Sequence, residues 1–142
     1  MYDVILLPTD GSEGTHRAEE HAIQLAAEHG AALRVLHVVN LGAIPPEVGA
    51  DRVADALEAA GESAIADVVE QAEAAGIEDA SGVIEHGSPH REILDYADDH
   101  DVSLIVMGTH GRTGLDRYLL GSVAERVVRL SETPVLTVRQ TG

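Results

Sequence analysis

Three glycines at fixed distances, Gly108, Gly111 and Gly121, with Ser122 directly behind the last, are the part of this 142-residue sequence best suited to chemistry. They lie in Gly108-Thr-His-Gly111-Arg-Thr-Gly114-Leu-Asp-Arg-Tyr-Leu-Leu-Gly121-Ser122, between an apolar run ending at Met107 and a stretch with helical spacing. The chemistry such a loop offers is capture of an anion. Glycine lets the backbone turn sharply and approach a phosphate closely, and unpaired N–H groups at the start of the following helix point at the charge. The interval Gly108-x2-Gly111-x9-Gly121-Ser122 is far more restrictive than an isolated glycine pair, and Gly114, inside the spacer, is not counted in it. A glycine loop can also be only a flexible connection. Ser122-Val-Ala-Glu125 reads independently as a capping box, in which serine and glutamate satisfy the first N–H groups of a helix. Both readings can hold, because a serine in the first turn can offer its hydroxyl and amide to a phosphate. The helix end adds about 0.3 to 1 kcal/mol of favourable field for an anion.

A second candidate follows the first apolar run, in Pro8-Thr9-Asp10-Gly11-Ser12. The Asp10 carboxylate there could accept a ribose hydroxyl or help hold a divalent cation among phosphates. Alternatively, Asp10 and Gly11 simply make a turn before a helix. Arg112 and Arg117 could reach phosphates as forked donors, or pair with surface carboxylates. His110, inside the glycine loop, could contact a phosphate, act as a base, or face solvent. The remaining histidines suggest no metal site. His86 and His90 are four apart but straddle Gly87-Ser88-Pro89, and neither an HExxH pattern nor a cysteine partner exists. His16, His21, His29 and His100 read as solvated helix positions, and His37 as a satisfied core residue in an apolar strand.

The elements that must position these residues alternate along the chain. Asp3 to Leu7, Ala32 to Val39, Ser81 to Glu85, Ser103 to Met107 and Val135 to Val138 read as strands. Several are continuously apolar, as in a parallel sheet covered on both faces. Between them, Glu13 to His29 carries Ala18, Ala22, Leu25 and Ala26 on one helical face. Ala50 to Ala75 places Val53, Leu57, Ile65, Val68, Val69 and Ala72 near another stripe. Gly30 and Gly76 are their expected stops. A third helix starts at Ser88-Pro89 and runs to about Asp99, and a fourth runs from Ser122 to before Thr133-Pro134. The βαβαβαβαβ pattern argues for an α/β sandwich with right-handed crossovers and ligands at the strands' carboxyl ends. Leu41 to Gly49 is the longest loop without a motif, either a flap near the site or a connection.

Composition narrows the function classes. The length fits one domain over residues 1–142. No apolar run approaches the roughly 18 residues of a membrane span, and the start lacks a basic leader, so a cytoplasmic protein is expected. The absence of cysteine excludes disulfides, thiolate metal sites and cysteine nucleophiles. The absence of lysine excludes a Walker loop, whose GxxxxGK[ST] pattern requires one. Acidic residues number 25 against nine arginines, a net charge of −16. Such a surface suits concentrated salt, where screening over about 3 Å at 1 M removes most self-repulsion, and it reads as a halophile's protein. It disfavours a nucleic-acid partner, which needs clustered basic residues. Against this background, Gly108 to Arg129 holds four arginines and two acids, a +2 island in a chain whose remainder sums to −18. An anionic ligand would need such an island on an otherwise repelling surface.

Together, the opening Val4-Ile-Leu-Leu-Pro8-Thr9-Asp10-Gly-Ser, the second strand ending Leu36-His37-Val38-Val39, and the Gly108/Gly111/Gly121-Ser122 signature resemble the universal stress protein family, in its ATP-binding branch. The resemblance covers nearly the whole chain. It implies a three-layer, Rossmann-like α/β fold of the adenine nucleotide alpha-hydrolase-like kind, with a five-stranded parallel sheet of order 3-2-1-4-5. It further implies ATP or another adenine nucleotide at the sheet's carboxyl edge, and homodimers through the edge of the last strand, Val135 to Val138; Mg²⁺ is expected to accompany the phosphates. By the same resemblance Pro8, Thr9 and Asp10 face the nucleotide, the Val38 backbone reads the adenine edge, and Met107 and Val123 supply apolar walls. Gly108, Gly111 and Gly121 map onto the family's phosphate-loop glycines, with Ser122 directly behind the last; His110 and Arg112, inside that loop, remain candidates on their own chemistry. From sequence alone, Val38, Met107 and Val123 read as core, and only the resemblance makes them binding residues.

The related PP-loop ATP pyrophosphatases carry Ser-Gly-Gly-x-Asp-Ser after their first strand, where this chain has Pro-Thr-Asp-Gly-Ser. Adenylating chemistry is not expected. With no nucleophile–base pair, paired carboxylates or metal cage in the sequence, the leading expectation is a nucleotide-binding stress-response or signalling module. The alternative is a slow Mg²⁺-dependent ATPase or phosphotransferase using Asp10 and His110, and a third reading is a structural dimer with an empty pocket.

Overall fold

The computed structural model describes residues 2–40, 50–109 and 121–139. Its strands are β1 (Val4–Pro8), β2 (Ala32–Val39), β3 (Ala80–His86), β4 (Leu104–Gly108) and β5 (Val135–Val138). Its helices are α1 (His16–His29), α2 (Ala50–Ala74), α3 (Pro89–Asp99) and α4 (Ser122–Leu130). All strand pairs are parallel and the order is β3-β2-β1-β4-β5, as the family resemblance implies. Ile5 to Pro8 and Leu104 to Met107 are buried, which is why β1 and β4 need apolar residues on both faces. β3, at one edge, has the mixed sequence of a strand covered on one side.

Right-handed crossovers fix the layers, because a connection moving one way across the sheet passes over the opposite face from one moving back. β1 leads to β2 and then β3 in one direction, so α1 and α2 share a face. Ala18, Ala22 and Ala26 of α1 and Ile65, Val68 and Ala72 of α2 pack there on Ile5, Leu7, Leu33, Val35 and Val106. The chain then crosses back, and α3 and α4 cover the other face. There Ile93, Tyr96, Ala97, Ala124 and Val127 meet Leu6, Leu36, Ile105 and Met107.

Local signals explain most element ends. Gly30 ends α1 with φ +63, a left-handed conformation that glycine adopts without strain. α3 begins as expected, with Ser88 at the cap and Pro89 in the first turn. Besides shifts of one residue at strand ends, two helix starts differ from expectation. The segment from Glu13 opens as a 3-10 turn over Glu13–Thr15 before α1 proper, because the Thr15 hydroxyl and N–H both turn back to the Ser12 carbonyl, at 2.9 and 3.2 Å.

The capping box at Ser122 is not formed. Gly121 is the cap residue, Ser122 is the first helical residue, and no side chain caps α4. The cause is the neck of the glycine loop, where the Gly121 N–H donates to the Thr109 carbonyl. That bond sets the strand-to-helix turn at the glycine, one residue before the box would need it. The Glu125 carboxylate faces Arg129 instead, at 3.6 Å.

Candidate functional site

At the carboxyl edge, the chain leaves β1 toward one face and leaves β4 toward the other. Neighbouring strands whose connections diverge leave a crevice between them. A cleft of about 260 Å³ opens there. β1 and the turn after it contribute Pro8, Thr9 and Asp10, and β2 contributes Val38. β4 contributes Met107 and Gly108, and the start of α4 contributes Gly121, Ser122 and Val123. Every expected site residue within the described part of the chain therefore meets at one cleft. His110, Gly111 and Arg112 lie outside the described residues, as do Gly114, Arg117 and the Leu41 to Gly49 loop.

Val38 owes its position to strand alternation. In β2 the even-numbered residues face β1: the Ala32 N–H donates to Asp3, and the Leu36 carbonyl accepts from the Thr9 N–H. Odd-numbered residues face β3, where the Leu33 N–H reaches Asp79 and the Val39 carbonyl takes the Gly87 N–H. β1 ends at Pro8, opposite Leu36. The Val38 peptide therefore turns its donor and acceptor to the side that β1 has vacated, and such a pair can read the edge of a planar heterocycle. Met107 is buried and Val123 half-buried on the same apolar face as Leu36, so these residues serve both core and cleft.

The α4 end supplies the anion-binding geometry. Gly121 uses its own N–H on Thr109, and the first intrahelical bond runs from the Glu125 N–H to the Gly121 carbonyl at 2.9 Å. The amides of Ser122, Val123 and Ala124 occupy the first turn, where a helix supplies no acceptor. The Ser122 side chain is exposed.

Asp10 realises both of its readings. Its Oδ1 accepts the Ser12 N–H at 2.9 Å and the Ser12 hydroxyl, so it does make the turn. Gly11 completes that turn with φ +77. Asp10 is half-buried and lines the cleft, the only carboxylate among the described lining residues. Thr9 beside it is 5% exposed, and its hydroxyl donates to Glu19 Oε2 at 2.8 Å.

His37 is the satisfied core residue expected, with its Nδ1–H on the Thr9 carbonyl at 2.9 Å, and it also lines the cleft. Its ring lies so close to α2 that a Cβ on Gly61 would come within 2.3 Å of Cδ2.

Several lining residues escaped the sequence reading. Leu36 and Ala124 could have been found from periodicity, since Leu36 is two residues before Val38 on one strand face. Thr15, Pro89, Ile93 and Thr109 carry no such signal; the fold brings them in.

The ionisable groups with displaced pKa lie elsewhere among the described residues. Asp79 is held below the ordinary carboxylate range, first by its hydrogen bond to Arg34 and then by that residue's charge. Arg34 is raised chiefly by the same hydrogen bond, and burial raises Tyr96. No cluster of three potential metal ligands occurs among the described residues. His86 pairs with Glu58 at 3.2 Å, and His90 with the Ser88 hydroxyl at 3.2 Å. Nor is any described helix long and apolar enough to cross a membrane.

Sequence comparison decides the family. The sequence model of the universal stress protein family matches residues 1–139. The chain belongs to the universal stress protein family. It is 38% identical over 143 residues to universal stress protein MJ0531 of Methanocaldococcus jannaschii, covering 99% of this chain and 84% of that one. Among solved structures, this universal stress protein superposes on protein MJ0577 of the same organism with a TM-score of 0.87 at 32% identity, covering 100% and 99% of the two chains. It also resembles a universal stress protein solved in complex with cAMP, with a TM-score of 0.77, 28% identity, and coverage of 99% and 98%.

Proposed function

We propose that the cleft binds ATP or another adenine nucleotide, and that the protein is a nucleotide-dependent stress-response or signalling module of the family's ATP-binding branch. The observation that carries this reading is the convergence of Asp10, Val38, Met107, Gly108, Gly121, Ser122 and Val123 on one cleft at the reversal of strand order. In this reading the Val38 peptide takes the adenine edge and Met107 and Val123 wall the base. Pro8, Thr9 and Asp10 face the ribose. Gly108, His110, Gly111, Arg112, Gly121 and Ser122 hold the phosphates. The complex of a related universal stress protein with cAMP supports an adenine ligand. Mg²⁺ enters with the phosphates and is held by them, by water and by Asp10, since the described lining supplies no other carboxylate.

The assembly is a homodimer through β5, an edge strand whose Leu136 is 37% exposed, as are Val128 and Leu130 of α4 in larger part. The −16 charge fits the cytoplasm of a halophile. One preparation tests the reading: purify the protein in molar KCl, identify copurified nucleotide by mass, and follow ATP turnover with Mg²⁺. Stoichiometric intact adenine nucleotide supports the binder. Turnover abolished by Asp10→Ala would make the protein an ATPase instead, and an empty protein that takes up no ATP would remove the reading.

A further inference from the structure

Beneath the cleft lies a carboxylate that the nucleotide reading does not use. Glu19 of α1 is 8% exposed, although acidic side chains are seldom buried without partners. Its neighbours on the buried stripe are alanines, and an apolar side chain at this position would avoid the desolvation that a carboxylate suffers. Its partners are two residues of the cleft wall. Glu19 Oε2 accepts from the Thr9 hydroxyl at 2.8 Å and lies 3.1 Å from the Thr15 hydroxyl, and the two threonine oxygens are themselves 3.1 Å apart.

The consequence follows from counting protons. A threonine hydroxyl has one proton and two lone pairs. With its proton committed to Glu19, the Thr9 oxygen presents a lone pair to the Gly11 N–H, which it accepts at 3.1 Å. That bond closes a turn with Asp10 at its centre, and a second turn, from the Ser12 N–H to Asp10 Oδ1 at 2.9 Å, interlocks with it. The Thr15 hydroxyl lies 2.9 Å from the Ser12 carbonyl and fixes the far end. Thr9 is gripped on its main chain as well, through the Leu36 carbonyl and the His37 ring, both at 2.9 Å.

We infer that Glu19 is a positioning residue for the ligand site: by taking the Thr9 hydroxyl proton, it fixes the turn around Asp10, which lines the cleft. The inference rests on the nucleotide reading. If Glu19 acts through Asp10, its effect on binding must vanish once Asp10 has no carboxylate. A purely structural role would leave that effect unchanged.

The test is an ATP titration by calorimetry in molar KCl on wild type, Glu19→Leu, Glu19→Gln, Asp10→Ala and the Asp10→Ala/Glu19→Leu double variant, each first shown to be folded by thermal unfolding. Glu19→Leu is expected to weaken binding about tenfold, the order of a lost hydrogen bond to a charged group. Glu19→Gln keeps an acceptor oxygen and restores affinity to within about twofold. In the Asp10→Ala background, the Leu substitution adds less than about twofold. Should Glu19→Leu not fold, Thr9→Val, which removes the hydroxyl that Glu19 holds, replaces it, with a loss of about threefold that likewise disappears when Asp10 is alanine. Wild-type affinity in the folded Glu19→Leu variant, or an equal loss in both backgrounds, overturns the inference while the ligand reading stands. A wild-type protein that binds no ATP overturns the ligand reading itself.

Discussion

The two helical layers of this molecule are built differently. α1 approaches the sheet through alanines, and α2 presses Ile65 onto a strand glycine, so that a Cβ added at Gly82 would lie 1.8 Å from Ile65 Cγ2. α3 and α4 pack with larger side chains such as Ile93, Tyr96 and Val127, and at the carboxyl edge they leave the cleft. Alanines and a strand glycine let the helices of one layer lie close on the sheet. On the other, the first turns of α3 and α4 border the strand ends and leave space with a polar rim. One layer therefore provides rigidity, and the other provides room for a ligand.

The largest expected effect lies in the sealed layer. Gly82→Val should destabilise the protein by about 1 to 3 kcal/mol, the range for overpacking a filled core, and Ile65→Ala in the same chain should recover part of that loss. Denaturant unfolding checks this, and an unchanged midpoint would show that the layer has slack. In the open layer, Asp10→Ala should weaken ATP binding about tenfold, roughly 1.4 kcal/mol, while leaving the unfolding midpoint nearly unchanged. Equal affinity would reduce Asp10 to its turn.

Gly61→Ala tests whether the layers are coupled. The added methyl must displace the His37 ring, which holds the Thr9 carbonyl, so a substitution remote from the cleft should lower ATP affinity a few-fold. Loss of stability without loss of affinity would uncouple them.

The smallest effect belongs to the surface. Because Arg34 holds the Asp79 carboxyl below its ordinary value, the pair's contribution is complete at neutral pH. It disappears as pH falls below the ordinary carboxylate range and through the lowered value. Asp79→Asn should therefore differ slightly from wild type at pH 7, and the two unfolding curves should converge in acid. Parallel curves down to low pH would assign the difference to something other than this pair.

What was legible in the sequence follows the same division. Strands and helices could be read because apolar runs, periodic stripes and stops such as Gly30 are local, and the strand order came with the family resemblance. β1 begins and ends one residue later than expected, because the ladder to β2 extends to Pro8 opposite Leu36. The Ser122 box failed because one backbone bond, Gly121 to Thr109, links residues far apart in sequence. Of the proposed site residues, Asp10, Gly108, Gly121 and Ser122 stood out through their motifs, whereas Val38, Met107 and Val123 entered only through the resemblance. Glu19 was not legible, since Glu19-Glu20 reads as a solvated pair, and only the fold brings Thr9 and Thr15 to the carboxylate.

Amide hydrogen exchange with and without saturating ATP in molar KCl tests the central claim most directly, because it reports each layer separately. Slower exchange at Val38, at Gly11 and Ser12, and at Ser122 to Ala124, with the amides of α1 and of β3 unchanged, is the predicted result. Protection absent from those positions, or spread over the sealed layer instead, would contradict the account.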